Sequence, residues 1–130
     1  MLNKKSFTLI ELLIVVVIIG ILAALALPGF GTSKERVLDR EAKANLALIQ
    51  AAEKIYRMES SFYYPSSGST SVIADINTNL RVNLPTGASS WTYAVDGDSD
   101  ETTASRLPSS SRVWTLTHTG NTASCTGDCP

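Results

Sequence analysis

The side chains with chemical potential fall in three places along this 130-residue chain. Glu11 stands inside a run from Phe7 to Leu27 that is otherwise apolar except for Thr8 and Gly20. An acid near the centre of a membrane-spanning helix costs about 2.5–3.5 kcal/mol, and less toward an end. Glu11 therefore either stays hydrated at headgroup depth or meets a cation supplied by another copy of the chain. Asp96, Asp98 and Asp100 alternate as the first acids of a calcium loop do, offering oxygen to a hard cation. The pattern then fails, because Glu101 occupies the place of the turn glycine and Leu107 the place of the closing Glu. A solvated acidic turn is the simpler reading. Cys125 and Cys129 are spaced C-x3-C, and the lone His118 adds too little for zinc, so it reads as a strand-end residue. With one His and no nucleophile elbow, P-loop or ligand cluster, the usual catalytic constellations cannot be assembled. The chain reads as a non-enzyme without a cofactor.

The element that positions Glu11 is the apolar run itself. Its 21 residues would make a helix roughly 31 Å long at about 1.5 Å per residue, enough to cross a bilayer. A secretory signal peptide has a shorter apolar core, about 7–15 residues, ending at a small-residue cleavage site. Lys4 and Lys5 precede the run, which places the N-terminus in the cytoplasm and the rest outside. Both cysteines then lie on the oxidising side, where a disulfide is expected, within one chain or between two. Within one chain it closes a very small loop, for which chain entropy gives roughly 2 kcal/mol. Such a loop tidies the C-terminus without stapling it to the core. Formal charge is −1, from 11 Lys and Arg against 12 Asp and Glu, so no basic excess points to nucleic acid as the main partner.

The short Lys-containing leader, the stretch Phe7-Thr8-Leu9-Ile10-Glu11 and the long apolar helix with Gly20 and Pro28 resemble the class III signal segment of type IV pilins and pseudopilins. The resemblance covers about the first 60 residues. It implies that a prepilin peptidase cuts between Ser6 and Phe7 and methylates the new Phe7 amine. Subunits waiting in the inner membrane, N-terminus in the cytoplasm, are then drawn by an assembly platform into an extracellular helical filament of identical copies. Glu11 becomes the acid that neutralises the Phe7 amine of a neighbour. Ser6 stands where the family nearly always has Gly, a departure at the cleavage point itself. In assembled filaments of the family the stretch matching Gly20 through Pro28 can lose its helix, which makes the fibre extensible. Many type IV pilins also carry a C-terminal disulfide-bounded region on the fibre surface, usually with a longer loop. The neighbouring readings are a pseudopilin of a type II secretion system, acting in the periplasm, and a minor or tip pilin acting in adhesion or DNA uptake. Major pseudopilins usually show a more regular calcium loop than Asp96–Asp100 provides, which favours a pilin. A plain signal-anchored periplasmic domain would need neither Glu11 nor a second copy.

The chain divides into a leader (1–6), an assembly helix (7–27), an amphipathic second half of that helix (28–59) and a β-rich head (60–130). Pro28, Gly29 and Gly31 break or loosen the helix. Thr32-Ser33-Lys34-Glu35 fits a capping box that restarts it; the alternative is a helix that passes through with a bend. Leu38, Ala42, Leu46, Ile49, Ala52 and Tyr56 form one stripe, with Arg36, Asp39, Lys43, Gln50, Lys54 and Arg57 opposite. Val37, Ala44, Leu48, Ala51 and Ile55 widen the apolar side and suit a second subunit's helix. Asp39 with Lys43 and Glu53 with Arg57 read as solvated i,i+4 pairs. In the head, Phe62-Tyr63-Tyr64-Pro65 ends the helix and folds back as an aromatic plug. Ser71 caps a short helix to Leu80, and Leu80, Val82 and Leu84 alternate as a strand. Trp91–Val95 and Arg112–Thr119 are two further strands, joined by a long polar loop. The expected fold class is α+β, with a long N-terminal helix whose second half packs on an antiparallel sheet of about three strands.

Overall fold

The computed structural model describes residues 6–26, 29–109 and 111–130. The expectations placed on Lys4, Lys5 and Pro28 lie outside the described residues. The chain forms two units, Met1–Glu35 and Arg36–Pro130.

In the first unit, helix α1 runs from Leu9 to Ala26, and none of its residues is buried. Leu, Ile and Val side chains sustain it without any sided pattern, as suits a helix surrounded by lipid or by other helices. It is long and apolar enough to cross a membrane. Gly20 sits inside it, without a break. Helix α2, Phe30–Ser60, begins earlier than the capping box implies. The Gly29 carbonyl accepts the Ser33 N–H at 3.2 Å, so the helix has formed its first turn before Thr32, and Gly31 and Thr32 lie within it. Gly29 marks the turn between the helices.

In the second unit α2 lays one face on a sheet. Asp39, Ala42, Leu46, Ile49, Ala52 and Glu53 are buried, at the three- and four-residue spacing of one helical face. The sheet has five strands, β1 (Ser69–Thr70), β2 (Trp91–Asp96), β3 (Glu101–Arg106), β4 (Arg112–Thr117) and β5 (Ser124–Gly127), all antiparallel and in chain order. Trp91, Tyr93 and Val95 of β2, Thr102 and Ala104 of β3, and Trp114 and Leu116 of β4 point inward and form the core with Leu46 and Ile49.

The expected three strands become five because the extra ones carry no alternating apolar signal. β3 lies inside the stretch read as a polar loop, and its inward residues are Thr102 and Ala104. Small side chains there leave room for Trp114 opposite Ala104, and ladders on both sides hold the strand. β5 is a four-residue edge and β1 a two-residue one. The strand expected over Leu80–Leu84 does not form. Helix α3, Ile73–Leu80, carries Leu80 as its last residue and closes on Arg81 in the left-handed conformation at φ 55°. The amide side chain of Asn77 then holds Leu84, accepting its N–H at 2.8 Å and donating to its carbonyl at 3.0 Å, which replaces a ladder partner. Ser71 does not cap α3, whose N-cap position is Val72 without a side-chain hydrogen bond. β4 ends at Thr117, two residues short of the expected limit.

Candidate functional site

Glu11 is placed by a cap that its own motif supplies. Thr8, just before the first helical residue, accepts the Glu11 backbone N–H on its carbonyl at 3.1 Å and on Oγ1 at 3.3 Å. Thr8 and Glu11 thus occupy the N-cap and third positions of a T-x-x-E pattern, and the first turn is fixed without help from the leader. The carboxylate stands at the positive end of the helix, where free amides and aligned peptide dipoles favour an anion. Among the described residues no ion pair reaches Glu11. Ser6 and Phe7 precede the helix in irregular, exposed chain, with Phe7 74% exposed, so the bond between them is accessible. The capping role of Thr8 was legible in the spacing and went unread.

A second exposed apolar surface lies on α2. Ala44, Leu48, Ala51, Ile55 and Met58 follow one another at alternating steps of four and three, with Met58 79% and Ile55 54% exposed. That is the repeat of a helix-packing seam. It borders a groove of about 360 Å³ lined by Leu48, Ala51 and Ile55 of α2 and by Leu80, Arg81 and Val82.

The charged residues read as a solvated face are used internally instead. Asp39 is buried, and its Oδ1 accepts Arg112 Nη1 at 2.7 Å and Trp114 Nε1 at 3.1 Å. Lys43, its expected partner, lies over the Trp114 ring at 3.9 Å. Glu53 is fully buried and accepts the Tyr64 N–H at 2.9 Å, while Arg57 Nη1 donates to the Tyr63 hydroxyl at 2.9 Å. Both acids fall on the face that meets the sheet, and β4 for Asp39 and the turn after α2 for Glu53 supply partners that an i,i+4 rule cannot anticipate. His118 stands at a strand end as expected, one residue beyond β4, and is fully buried against the Tyr63 ring.

The acidic turn spends its carboxylates on its own backbone. Asp96 Oδ1 accepts the N–H groups of Asp98 and Ser99 at 2.9 and 3.0 Å, and Asp98 Oδ2 accepts that of Gly68 at 2.9 Å. The Ser99 and Asp98 amides hold the Asp96 carboxyl below its ordinary value, Ser99 most strongly. Asp100 takes the left-handed conformation at φ 55° that turns the chain into β3. Among the described residues no three His, Cys, Asp or Glu side chains are grouped to hold a metal.

Cys125 and Cys129 form a disulfide within the chain, with Cα atoms 6.1 Å apart. The disulfide itself joins only neighbouring residues, and the loop is fastened to the head by the β5 ladder and by hydrogen bonds. Cys125 pairs with Trp114 across the β4–β5 ladder, Arg112 Nε donates to the Asp128 carbonyl at 2.7 Å, and the Asp128 N–H donates to Ser111 at 2.9 Å. Gly127, at φ 87°, lets the chain pass close to the Ser111 carbonyl, which a Cβ would overlap.

Residues 1–27 match the prokaryotic N-terminal methylation motif. The chain is 49% identical over 61 residues to the type IV major pilin protein PilA of Myxococcus xanthus, covering 47% of this chain and 28% of that protein. It is 41% identical over 65 residues to the type II secretion system core protein G of Pseudomonas aeruginosa, covering 50% of this chain and 45% of that protein. In both, the chain spans less than half the length of the relative. With the type IV narrow pilus major component PilA5 of Thermus thermophilus the match is longer, 32% identity over 101 residues, covering 72% of this chain and 87% of the relative. No solved structure matches the chain. A methylation motif at the start of an exposed apolar helix, in a chain that aligns over most of a known pilin, means that the chain belongs to the family of type IV pilins and pseudopilins.

Proposed function

We propose that the chain is a structural subunit of a type IV pilus, whose work is assembly. The observation that carries this reading is the apolar surface left uncovered in the single chain: all of α1, and separately the 4–3 seam from Ala44 to Met58 on α2. Exposed apolar surface of this extent marks an interaction site. A membrane covers α1 of the precursor, and neighbouring subunits cover both surfaces in a filament.

The steps follow from the residues. Prepilin peptidase cuts between Ser6 and Phe7, in the exposed segment before the helix, and the new Phe7 amine is methylated. The precursor waits in the inner membrane with its N-terminus in the cytoplasm until the assembly platform takes it up. Glu11 then pairs with the Phe7 ammonium of a neighbour and sets axial register, because an unpaired carboxylate in an apolar bundle is costly. Gly20, Pro28, Gly29 and Gly31 supply the weak stretch at which the helix yields within the fibre. The head, from about residue 60, forms the outer surface with its C-terminal Cys125–Cys129 loop. The similarity of the N-terminal half to core protein G supports a second reading, a pseudopilin that builds a short periplasmic filament.

Microscopy of sheared surface material, with mass identification of the chain, tests the proposal. Extracellular filaments made mainly of a chain beginning at methylated Phe7 are expected. A product retained in the periplasm in a secretion-dependent assembly supports the pseudopilin, a trace component of fibres supports a tip protein, and a solitary chain with an intact Met1 terminus refutes assembly altogether.

A further inference from the structure

The inside of the head holds two ionisable side chains that assembly does not use. Glu53 of α2 and His118, one residue beyond β4, are both fully buried. Glu53 Oε2 accepts the Tyr64 N–H at 2.9 Å, but its Oε1 is buried without a hydrogen-bond partner. His118 Nε2 lies 3.0 Å from Thr102 Oγ1, and its Nδ1 is likewise buried without one. The Tyr63 ring covers the imidazole with centroids 4.3 Å apart, and the Arg57 guanidinium lies 4.7 Å over the other ring. The turn from Tyr63 to Pro65 therefore closes over both groups. Gly97 clasps it from the β2 side, since a Cβ there would overlap the Pro65 carbonyl.

The charges around this site do not favour an ionised carboxylate. Asp100, in the β2–β3 turn, repels Glu53 and attracts an imidazolium; Asp96, at the end of β2, also attracts it, and Lys54 of α2 opposes it. Arg57, the other nearby cation of α2, is engaged with Tyr63, and Tyr64 carries its own hydroxyl to Asn79. No cation pairs with Glu53 among the described residues. A buried carboxylate with one free oxygen and no counter-ion takes a proton or takes water. Burial, with a smaller push from Asp100 and against the Tyr64 hydrogen bond, raises the Glu53 carboxyl from 4.5 to about 7. Burial pulls the imidazole below its ordinary value.

We propose that Glu53, enclosed under the Tyr63–Pro65 turn, is a pH-responsive latch: protonated, it keeps the turn closed on α2 and the sheet, and ionised, it admits water and lets the turn open. The proposal is independent of filament assembly. It concerns how the segment leaving α2 is held to the head, whatever the head packs against.

The Tyr64 amide reports the latch directly. In the full chain in detergent micelles, the opening constant from Tyr64 hydrogen exchange is expected to rise on the order of a hundredfold between about pH 5 and pH 8, and to show no such rise in Glu53→Gln, which keeps an acceptor and cannot ionise. The Glu53 carboxyl carbon, followed by NMR in the unsubstituted chain, should titrate near neutrality. Should Glu53→Gln not fold, these two measurements on the unsubstituted chain still decide. A Tyr64 protection that does not change with pH, an equal slope in the variant, or a carboxyl that titrates below about pH 5 overturns the latch.

Discussion

Asp39 and Arg112, 73 residues apart in sequence, meet at 2.7 Å with Trp114 Nε1 on the same carboxylate oxygen. The Asp39 side chain is 4% exposed and that of Arg112 12%, so neither charge can turn to water. Removing one partner strands the other in a low-dielectric site. Arg112→Met should destabilise the head by about 3–5 kcal/mol. Asp39→Leu combined with Arg112→Met, which removes both charges, should cost clearly less than Arg112→Met alone. Urea unfolding of the full chain in detergent measures both, and a loss below about 1 kcal/mol for Arg112→Met would contradict the role given to the pair.

Glu53 and His118 pull the pH dependence of head stability in opposite directions. The folded-state value of Glu53 is raised, from 4.5 to about 7, so its contribution is full below pH 4.5 and is lost as pH rises through 7. For His118 it is lowered, so stability is present above 6.5 and is lost as pH falls below it. Between these limits the two slopes oppose each other. Glu53→Gln should therefore stabilise the head at pH 8 by up to about 3 kcal/mol, at about 1.4 kcal/mol per pKa unit. It should also unmask the His118 slope, leaving a variant whose stability rises with pH up to about 6.5. Melting curves from pH 5 to 8 check this, and parallel pH profiles for variant and parent would contradict it.

The parts of this chain that could be read from sequence are those in which neighbouring residues decide. Helix α1 announces itself by an unbroken apolar run, and the sidedness of α2 through Leu46 and Ile49 and the strands around Tyr93 and Trp114 by period. β3 does not, because its inward positions hold Thr102 and Ala104, chosen by the bulk of Tyr93 and Trp114 on either side of the strand. Asp39 and Glu53 were misread for a related reason. Their spacing to Lys43 and Arg57 is a local fact, whereas their burial depends on where the sheet lies. Leu80–Leu84 misled in the other direction, since three alternating apolar residues satisfied a strand pattern that Arg81 and Asn77 divert into a helix end and a side-chain clasp. The Thr8 cap needed only four residues to be seen.

The disulfide and the β5 ladder should be separable. Closing a loop as small as that between Cys125 and Cys129 is worth roughly 2 kcal/mol in chain entropy, while the ladder to β4 and the Arg112 bond to Asp128 hold the same segment without it. Replacing both cysteines with Ser should cost about 1–2 kcal/mol and keep the Thr126 and Gly127 amides at least partly protected from exchange. Non-reducing electrophoresis of the parent should show no ladder, because each chain closes its own bond. Complete loss of protection in β5 would mean that the disulfide alone holds the C-terminus.

Glu11→Ala separates anchoring from assembly. The substitution leaves Thr8 in place to accept the Glu11 backbone N–H, which is a main-chain bond and does not depend on the side chain at 11. Helix α1 therefore keeps its cap, and its apolar length is unaltered, so the precursor should enter the membrane at normal levels and be cut at Phe7. What disappears is the acid proposed to meet a neighbour's ammonium. A subunit then gains nothing by docking in one axial register over another, and the Phe7 ammonium of each copy is left to be desolvated alone, a penalty of several kcal/mol. Filament yield in sheared fractions should fall at least tenfold while membrane-bound mature subunit accumulates. Glu11→Asp, which keeps the charge on a shorter side chain, should restore part of the yield. Abundant fibres of normal appearance from Glu11→Ala would remove the pairing from the mechanism and leave apolar packing as the sole ordering force.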